Sequence, residues 1–166
     1  MEAYKEKFIE RTKNHIQLVN KYAQKIGHTY NYHDADKLQG ELFEPYALSF
    51  KYDGFGNGDE RKKMTPEELN AYNEATLKHI SRNPHHPEYW INPKLKTFDR
   101  DNPPRALDCR KMSDAAIIEM CCDWCAMSEE FGNTPFEWAA ETIGERWVFD
   151  DRQVKFIYNL LEDLWN

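Results

Sequence analysis

The chain has 166 residues, of which 40% are hydrophobic and 31% charged, with a formal net charge of −7 at pH 7. Length and composition are ordinary for one water-soluble globular domain spanning residues 1–166 with a buried core. The acidic balance disfavours broad polynucleotide binding, which needs a basic surface, and without a signal-peptide core or an apolar run of roughly 18 residues we expect a cytoplasmic protein with no membrane segment.

Two helical segments are predicted in the first 50 residues. In the first, the residues that would face a core recur at intervals of three and four, which is the spacing of one helix face. These residues are Phe8, Thr12, His15, Val19, Tyr22 and Ile26. Gly27 is expected to end this helix. The second segment runs from Tyr32 to about Phe50, with a break or a new start at Pro45.

The middle of the chain alternates between loops and one helix. Residues 51–64 hold three glycines and many charges, which predicts a loop. Thr65, Pro66 and Glu68 then combine a capping box with proline at the first helical position. The helix that follows presents Leu69, Tyr72, Thr76 and His79, and Pro84 ends it. Residues 91–112 contain three prolines and predict a long irregular stretch of the kind that is usually functional or mobile.

Three helices are predicted in the last third. The first opens at Ser113 and Asp114, closes at Gly132, and carries Ile117, Met120, Trp124, Met127 and Phe131 on its apolar face. Residues 134–137 repeat the combination of proline and capping box, and residues 150–153 start the last helix, with Val154, Ile157, Leu161 and Leu164 on one face. With no convincing strand, the predicted fold class is all-α, a helical bundle.

Three of the four cysteines, Cys121, Cys122 and Cys125, fall within a stretch of five residues in the helix that opens at Ser113. This clustering does not suit a secreted disulfide framework. Cys122 and Cys125 form a CxxC pair, but no second pair accompanies them, so we interpret them as buried reduced thiols and not as a structural zinc site.

Five of the six histidines fall on or beside the predicted helices, together with two aspartates. Taken singly, His15 or His79 would more often be an ordinary core histidine. Together, however, buried unpaired imidazoles and carboxylates would cost free energy that a shared divalent cation removes. We therefore predict two divalent metal ions (Mn, Fe, Co, Ni or Zn) bridged by one carboxylate in the bundle core. The candidate ligands are His15, His33, Asp34, His79, His85, His86 and Asp123.

The order of these residues resembles the HD superfamily, named for its adjacent His-Asp pair. The binuclear branch adds an HDxxK motif, a lone histidine and a His-His pair before the final aspartate, as in His33-Asp34-Ala35-Asp36-Lys37, His79, His85-His86 and Asp123. HD-GYP cyclic-dinucleotide phosphodiesterases share this order, but no GYP sequence follows here, so that specificity is not implied. The local sequences HDADK, ELFEPY, NPHHPEYW and IIEMCCDW also look like a small, largely uncharacterised family of HD-like proteins from bacteria and phages.

The resemblance implies an HD-domain-like helical bundle and a role for each ligand. His33 and Asp34 would be the central ligands, and Asp34 would bridge the two ions. The first ion is completed by His15 and Asp123, and the second by His79 and one or both of His85 and His86. Lys37 follows His33 by one helical turn, so it would face the same pocket and neutralise a phosphate oxygen. The alternative is a solvated lysine that pairs with Glu41.

The activity implied is a metal-dependent phosphohydrolase, a phosphomonoesterase or phosphodiesterase, acting on a nucleotide or another small phosphate ester. We hypothesise that a water bridging ions roughly 3.5–4 Å apart becomes a nucleophile near neutral pH and attacks phosphorus in line. Asp34 and Lys37 would be the catalytic residues. Residues 91–112 carry six basic side chains against three acidic ones. The cations predicted to hold the remaining phosphate oxygens are Lys37, Arg82, Arg105, Arg110 and Lys111.

Two other functions fit the same residues. HD-type di-iron oxygenases share the ligand set of four histidines and two aspartates. A non-catalytic helical module, in which the metal is structural or a nucleotide is sequestered, is the second alternative. Glu41 and Glu44 could orient a ligand histidine, although surface carboxylates are the commoner meaning of such residues.

Overall fold

The computed structural model describes residues 1–52 and 59–166, and these residues are predominantly helical. The helices are α1 (Ala3–Gln24), α2 (Gly40–Ala47), α3 (Asp59–Lys63), α4 (Pro66–Arg82), α5 (Asp114–Phe131), α6 (Pro135–Thr142) and α7 (Asp151–Trp165). Short 3-10 helices cover Ala35–Leu38, Leu48–Phe50 and Pro87–Trp90. The predicted all-α helical bundle is confirmed. In the described residues, no helix combines the length and the apolar character that crossing a membrane would require.

Helix α1 buries the face that its periodicity predicts. Its buried residues are Phe8, Thr12, His15, Val19, Tyr22 and Ala23. The helix ends at Gln24, and Gly27 follows with a φ of +77°, a left-handed conformation that glycine adopts without strain. Ile26 lies beyond the helix end and packs, partly buried, against the core.

Capping boxes begin three of the helices where the sequence predicts them. Thr65, Thr134 and Asp150 each accept a hydrogen bond from the backbone N–H three residues later. The side chain of that third residue accepts a hydrogen bond from the backbone N–H of the capping residue, so two otherwise unpaired backbone donors are satisfied at each start. The boundaries of α4, α6 and α7 therefore follow directly from local sequence.

The segment between residues 32 and 50 is not the helix that its pattern predicts. Asp34 and Gly40 both have left-handed φ values, 56° and 59°, and they divide the segment into a turn, a 3-10 helix and α2. Pro45 lies inside α2 and does not break it. His33 and Asp34 are therefore positioned by a tight turn, and aspartate is one of the few residues that accept this backbone conformation.

Two further predictions of irregular structure need correction. Residues 53–58 of the predicted 51–64 loop lie outside the described residues, but Asp59–Lys63 forms α3, because its acidic first turn and basic last turn suit the helix dipole. Two short strands, β1 (Leu107–Asp108) and β2 (Trp147–Val148), pair in parallel. Two residues are too few for an alternating pattern to predict a strand.

The buried side chains form two hydrophobic clusters. The main cluster joins the second half of α1 to α5, α6 and α7 and includes Ile117, Trp124, Ile157, Leu161 and Leu164. The second cluster joins the first half of α1 to α2 and α4 and includes Phe8, Leu42, Tyr46 and Tyr72. Helix α1 belongs to both, with Phe8 in the second cluster and Val19 in the main one, and Thr12 and His15 are buried between them.

All four cysteines are buried and unpaired: Cys109, Cys121, Cys122 and Cys125. They belong to the main cluster. Among the described residues, no group of side chains that could hold a metal includes a cysteine. The interpretation as buried reduced thiols therefore fits the structure better than a structural zinc site.

Candidate metal centre

Five separate parts of the chain bring polar side chains together in one cluster. Helix α1 supplies His15, the turn before the first 3-10 helix supplies His33 and Asp34, and α4 supplies His79. The segment after α4 carries His85 and His86, and Asp123 lies in the middle of α5. His86 and Asp123 are partly buried and the other five are buried. These are the seven side chains predicted as ligands, and the structure brings all of them together.

Three overlapping groups within this cluster have the spacing of metal ligands. The group that we call position A contains His15, His33 and Asp34. Position B contains Asp34, His79, His85 and His86, so both members of the His-His pair belong to it. A third group, of His33, His85 and Asp123, links the two positions. Within each group, one ligand atom per residue lies within 4.8 Å of the others, so these buried groups could hold a metal ion.

Several interatomic distances match those between neighbouring ligands of one ion. His15 Nε2 lies 3.0 Å from Asp123 Oδ1, and His79 Nε2 lies 3.1 Å from Asp34 Oδ1. The Nε2 atoms of His79 and His86 are 3.0 Å apart. Two ligand atoms about 2.1 Å from the same ion and at right angles to each other would be about 3.0 Å apart.

Three ligand atoms in the cluster are buried without a hydrogen-bond partner: His33 Nε2, Asp34 Oδ1 and His85 Nε2. Asp34 Oδ1 lies 3.8 Å from the nitrogen of His33 and 3.5 Å from that of His85. A buried polar atom without a partner costs about 1–3 kcal/mol. Three such atoms facing one another are what a ligand cluster requires, because their lone pairs remain available to a cation.

A ring of carboxylates holds the opposite nitrogens of the histidines. Three imidazoles each contact an acidic side chain through Nδ1, which fixes the proton there and leaves Nε2 free to bind a metal. The pairs are His15 with Glu130, His33 with Glu119 at 2.9 Å, and His79 with Asp36 at 3.0 Å. The same Glu119 oxygen lies 3.4 Å from His85 Nδ1.

The sequence reasoning did not identify these three carboxylates as partners of the candidate ligands. Glu119 precedes Asp123 by one helical turn on α5, and that spacing was a signal that could have identified it. Glu41 instead pairs with Lys78 and Arg82 at 2.6 and 2.9 Å, and Glu44 pairs with Lys5. The surface-carboxylate interpretation of Glu41 and Glu44 therefore fits the structure, and orientation of a ligand histidine by either of them does not.

Lys37 points into the cluster, as predicted. Its Nζ donates a hydrogen bond of 2.6 Å to Asp34 Oδ2 and lies 5.2 Å from the centre of the Tyr46 ring. It makes this contact from a 3-10 helix, not from the α-helix that the spacing suggested. The alternative partner, Glu41, is bound by Lys78.

The other predicted cations do not contact the cluster in the described part of the chain. Arg82 pairs with Glu41, and Arg110 pairs with Asp108 at 2.8 Å. Arg105 and Lys111 are exposed. A role for these four in holding a substrate stays a prediction without structural support.

The charges in the cluster strongly perturb its titrating groups. Burial alone would raise the pKa of Asp34, but Lys37 and His33 hold it well below its usual range. Burial opposes charge on His33 as well, yet Asp34 and Asp123 raise its pKa to about 10 in the metal-free protein, so a bound ion would have to displace the proton from Nε2. By contrast, burial and the neighbouring His85 hold the pKa of His86 well below its usual range. His86 is therefore a neutral imidazole near pH 7, the form that binds metals.

Negative charge exceeds positive charge at this site. Five carboxylates contact the histidines: Asp34, Asp36, Glu119, Asp123 and Glu130. The basic side chains recorded against them in the described residues are Lys37 and Arg11. Buried charge of one sign is costly unless it is compensated, so the cluster favours divalent cations over monovalent ones.

The His-His segment is held from the C-terminal part of the chain. Glu88, two residues after His86, is 1% exposed. One of its oxygens accepts hydrogen bonds from Trp147 Nε1 at 3.0 Å and from Arg146 Nη2 at 3.2 Å. The Arg146 guanidinium also stacks 4.5 Å from the Trp147 ring centre. Two ligands thus depend on side chains around β2 for their position.

Comparison with known proteins gives one match. Residues 4–163 match a family described as "Family of unknown function (DUF5662)". No curated protein and no solved structure matches the chain. The match covers every candidate ligand and each of their carboxylate partners. It names no HD family, so the HD resemblance stays a prediction.

Proposed function

The chain belongs to this family of unknown function, and from its own side chains we propose that it is an HD-type, metal-dependent phosphohydrolase. Two divalent ions would occupy positions A and B. The substrate would be a nucleotide or another small phosphate ester.

One observation carries the proposal. His33 Nε2, Asp34 Oδ1 and His85 Nε2 are buried, face one another and have no hydrogen-bond partner. An ordinary buried histidine usually has a hydrogen-bond partner in the protein. Cations shared by these atoms would remove the cost of burying them, and the excess of carboxylates around them supports the same conclusion.

Asp34 belongs to both positions. Its Oδ1 is close to His79 and His85 of position B, and it also lies 3.8 Å from His33 Nε2 of position A. Its Oδ2 is 3.9 Å from His15 Nε2 of position A. Asp34 is therefore the side chain suited to bridge two ions. Asp123, 3.0 Å from His15, would complete position A.

Divalent ions held in this way would lower the pKa of water and stabilise negative charge on phosphate oxygens. The protein's own contribution is to hold the substrate and exclude bulk water. Lys37 is the cation best placed to hold a phosphate oxygen, because it contacts Asp34 and is supported from one side by the Tyr46 ring. The buried surroundings would strengthen that charge-assisted contact.

The test combines metal analysis with a screen for phosphate release. Purified protein loaded with Mn²⁺, Co²⁺ or Ni²⁺ would be incubated without oxygen with nucleotides and simple phosphate esters. We expect bound metal and metal-dependent phosphate release. Asp34→Asn should lose both, and asparagine keeps the left-handed backbone accessible. Asp114→Asn, an exposed carboxylate on α5 paired with Arg152, and Cys122→Ser should lose neither.

Intact metal loading in the Asp34 variant would contradict the ligand assignment. Product formation that requires iron and oxygen would instead assign the oxygenase chemistry. A nucleotide that binds tightly and is recovered unchanged after long incubation with metal would assign a non-catalytic binding module.

A further inference from the structure

One carboxylate contacts a histidine from each of the two positions. Glu119 Oε1 lies 2.9 Å from His33 Nδ1, which belongs to position A, and 3.4 Å from His85 Nδ1, which belongs to position B. The other two carboxylates that contact an Nδ1 atom hold one ring each. Glu130 contacts His15 of position A, and Asp36 contacts His79 of position B.

The two rings that share Glu119 also lie against each other. The centres of the His33 and His85 rings are 4.3 Å apart, with an angle of 38° between the ring planes. Within residues 1–52 and 59–166, the structure records no lysine or arginine paired with Glu119. Its charge is therefore directed at the two imidazoles.

The contacts of Glu119 account for the two unpartnered nitrogens. A carboxylate accepts hydrogen bonds, so at 2.9 Å the His33 ring donates from a protonated Nδ1. The same negatively charged oxygen lies 3.4 Å from His85 Nδ1 and favours a proton on that nitrogen. A neutral ring with its proton on Nδ1 has its lone pair on Nε2. His33 Nε2 and His85 Nε2 are the two imidazole atoms of the cluster that are buried without a partner. Glu119 thus orients one histidine of each position so that its Nε2 can bind a metal ion.

We propose that Glu119 is a positioning residue that couples the two metal positions, so that an ion bound at one raises affinity at the other. An ion at position A fixes the His33 ring and, through its Nδ1–H, the Glu119 carboxylate. The same oxygen then holds His85 in the orientation that position B needs, so less conformational freedom is lost when the second ion binds. The coupling is reciprocal. This inference rests on the two-ion arrangement of the proposed function.

Mn²⁺ binding to the full chain, measured by equilibrium dialysis with elemental analysis, tests the coupling. We expect the wild type to bind two ions cooperatively. Glu119→Gln should weaken both ions, by about 10- to 100-fold each, and abolish the cooperativity. Glu130→Gln should weaken mainly one ion, and Asp36→Asn mainly the other. Glu129→Gln is the matched control on the same helix. Glu129 binds Lys21 and Tyr22 instead of a histidine, so its loss should change neither ion.

A second variant guards against a folding defect in Glu119→Gln, which circular dichroism of the metal-free protein would reveal. Glu119→Asp keeps the charge but is one methylene shorter, so its carboxylate should contact the Nδ1 atom of one ring at most. Two ions bound without cooperativity would support the coupling, whereas unchanged cooperative binding in this variant would overturn it. Loss of only one ion in Glu119→Gln would overturn it as well. A wild-type protein that binds fewer than two ions would instead refute the two-ion function on which the coupling rests.

Discussion

Removing divalent metal ions should destabilise the folded chain by a measurable amount. Three buried ligand atoms have no hydrogen-bond partner, and at about 1 kcal/mol for each, the low end of the usual range, metal binding should recover at least about 3 kcal/mol. In a chain of 166 residues, 1 kcal/mol changes the melting temperature by about 2–4 °C. Saturating metal should therefore raise the melting temperature by at least about 6 °C.

The assay is thermal unfolding followed by circular dichroism. The protein is treated with a chelator, dialysed, and melted with and without excess Mn²⁺ or Zn²⁺. Asp34→Asn should be nearly insensitive to metal, because it removes the carboxylate that both positions share. Asp114→Asn should respond like the wild type.

The result that would refute the reasoning is a wild-type melting temperature that changes by less than about 1 °C under ion concentrations at which elemental analysis shows binding. An equal response in Asp34→Asn would also refute it, since the stabilisation would then arise from ions bound elsewhere on this acidic surface.

Three further outcomes are expected. Lys37→Ala should lower kcat/KM for a phosphate ester by about 100-fold even at saturating metal, because its ammonium is the cation best placed to hold a phosphate oxygen. Burial raises the pKa of Cys122 and of Cys125 to about 12, so an aromatic disulfide should modify these thiols at pH 8 only after unfolding. Neighbouring cations hold the pKa of Asp34 and of Asp123 well below the usual value. Their stabilisation is present above that value, so the metal-free protein should lose unfolding free energy, measured by denaturant titration, as pH falls below about 4.

Local sequence signals predict much of this fold. The spacing of apolar residues identifies the buried faces of α1 and α7, because a helix packed on one side repeats its contacts every three or four residues. Capping boxes locate the starts of α4 and α6, because they satisfy backbone donors within four consecutive residues. Each of these signals lies entirely within its own element.

The predictions that failed concern elements that leave no signal in the spacing of apolar residues. β1 pairs with β2, which lies 40 residues further along the chain, and neither strand carries a pattern of its own. The turn at His33 and Asp34 carries polar residues that also occur in helices, and its left-handed backbone left no mark in the spacing of apolar residues.

The candidate site, like the fold, was predictable from the sequence only in part. The seven proposed ligands are of residue types that are rare in cores, so their order along the sequence was informative. The carboxylates behind them are common surface residues, and only folding brings Glu130 to His15 across 115 positions. The basic residues of the 91–112 stretch illustrate the opposite case. Arg110 looked suited to a phosphate but is paired with Asp108.

Glu88 contacts Arg146 and Trp147, so residues near the C-terminus help to position the candidate site although they supply no candidate ligand. A fragment that stopped after α5 would still contain every imidazole and carboxylate of the cluster. It would nevertheless lack the clamp on the segment that bears His85 and His86, and losing one partner of a buried ion pair costs about 3–5 kcal/mol. The proposed metal binding therefore depends on residues that follow α5, and a fragment that ends at Phe131 should bind divalent ions more weakly than the full chain.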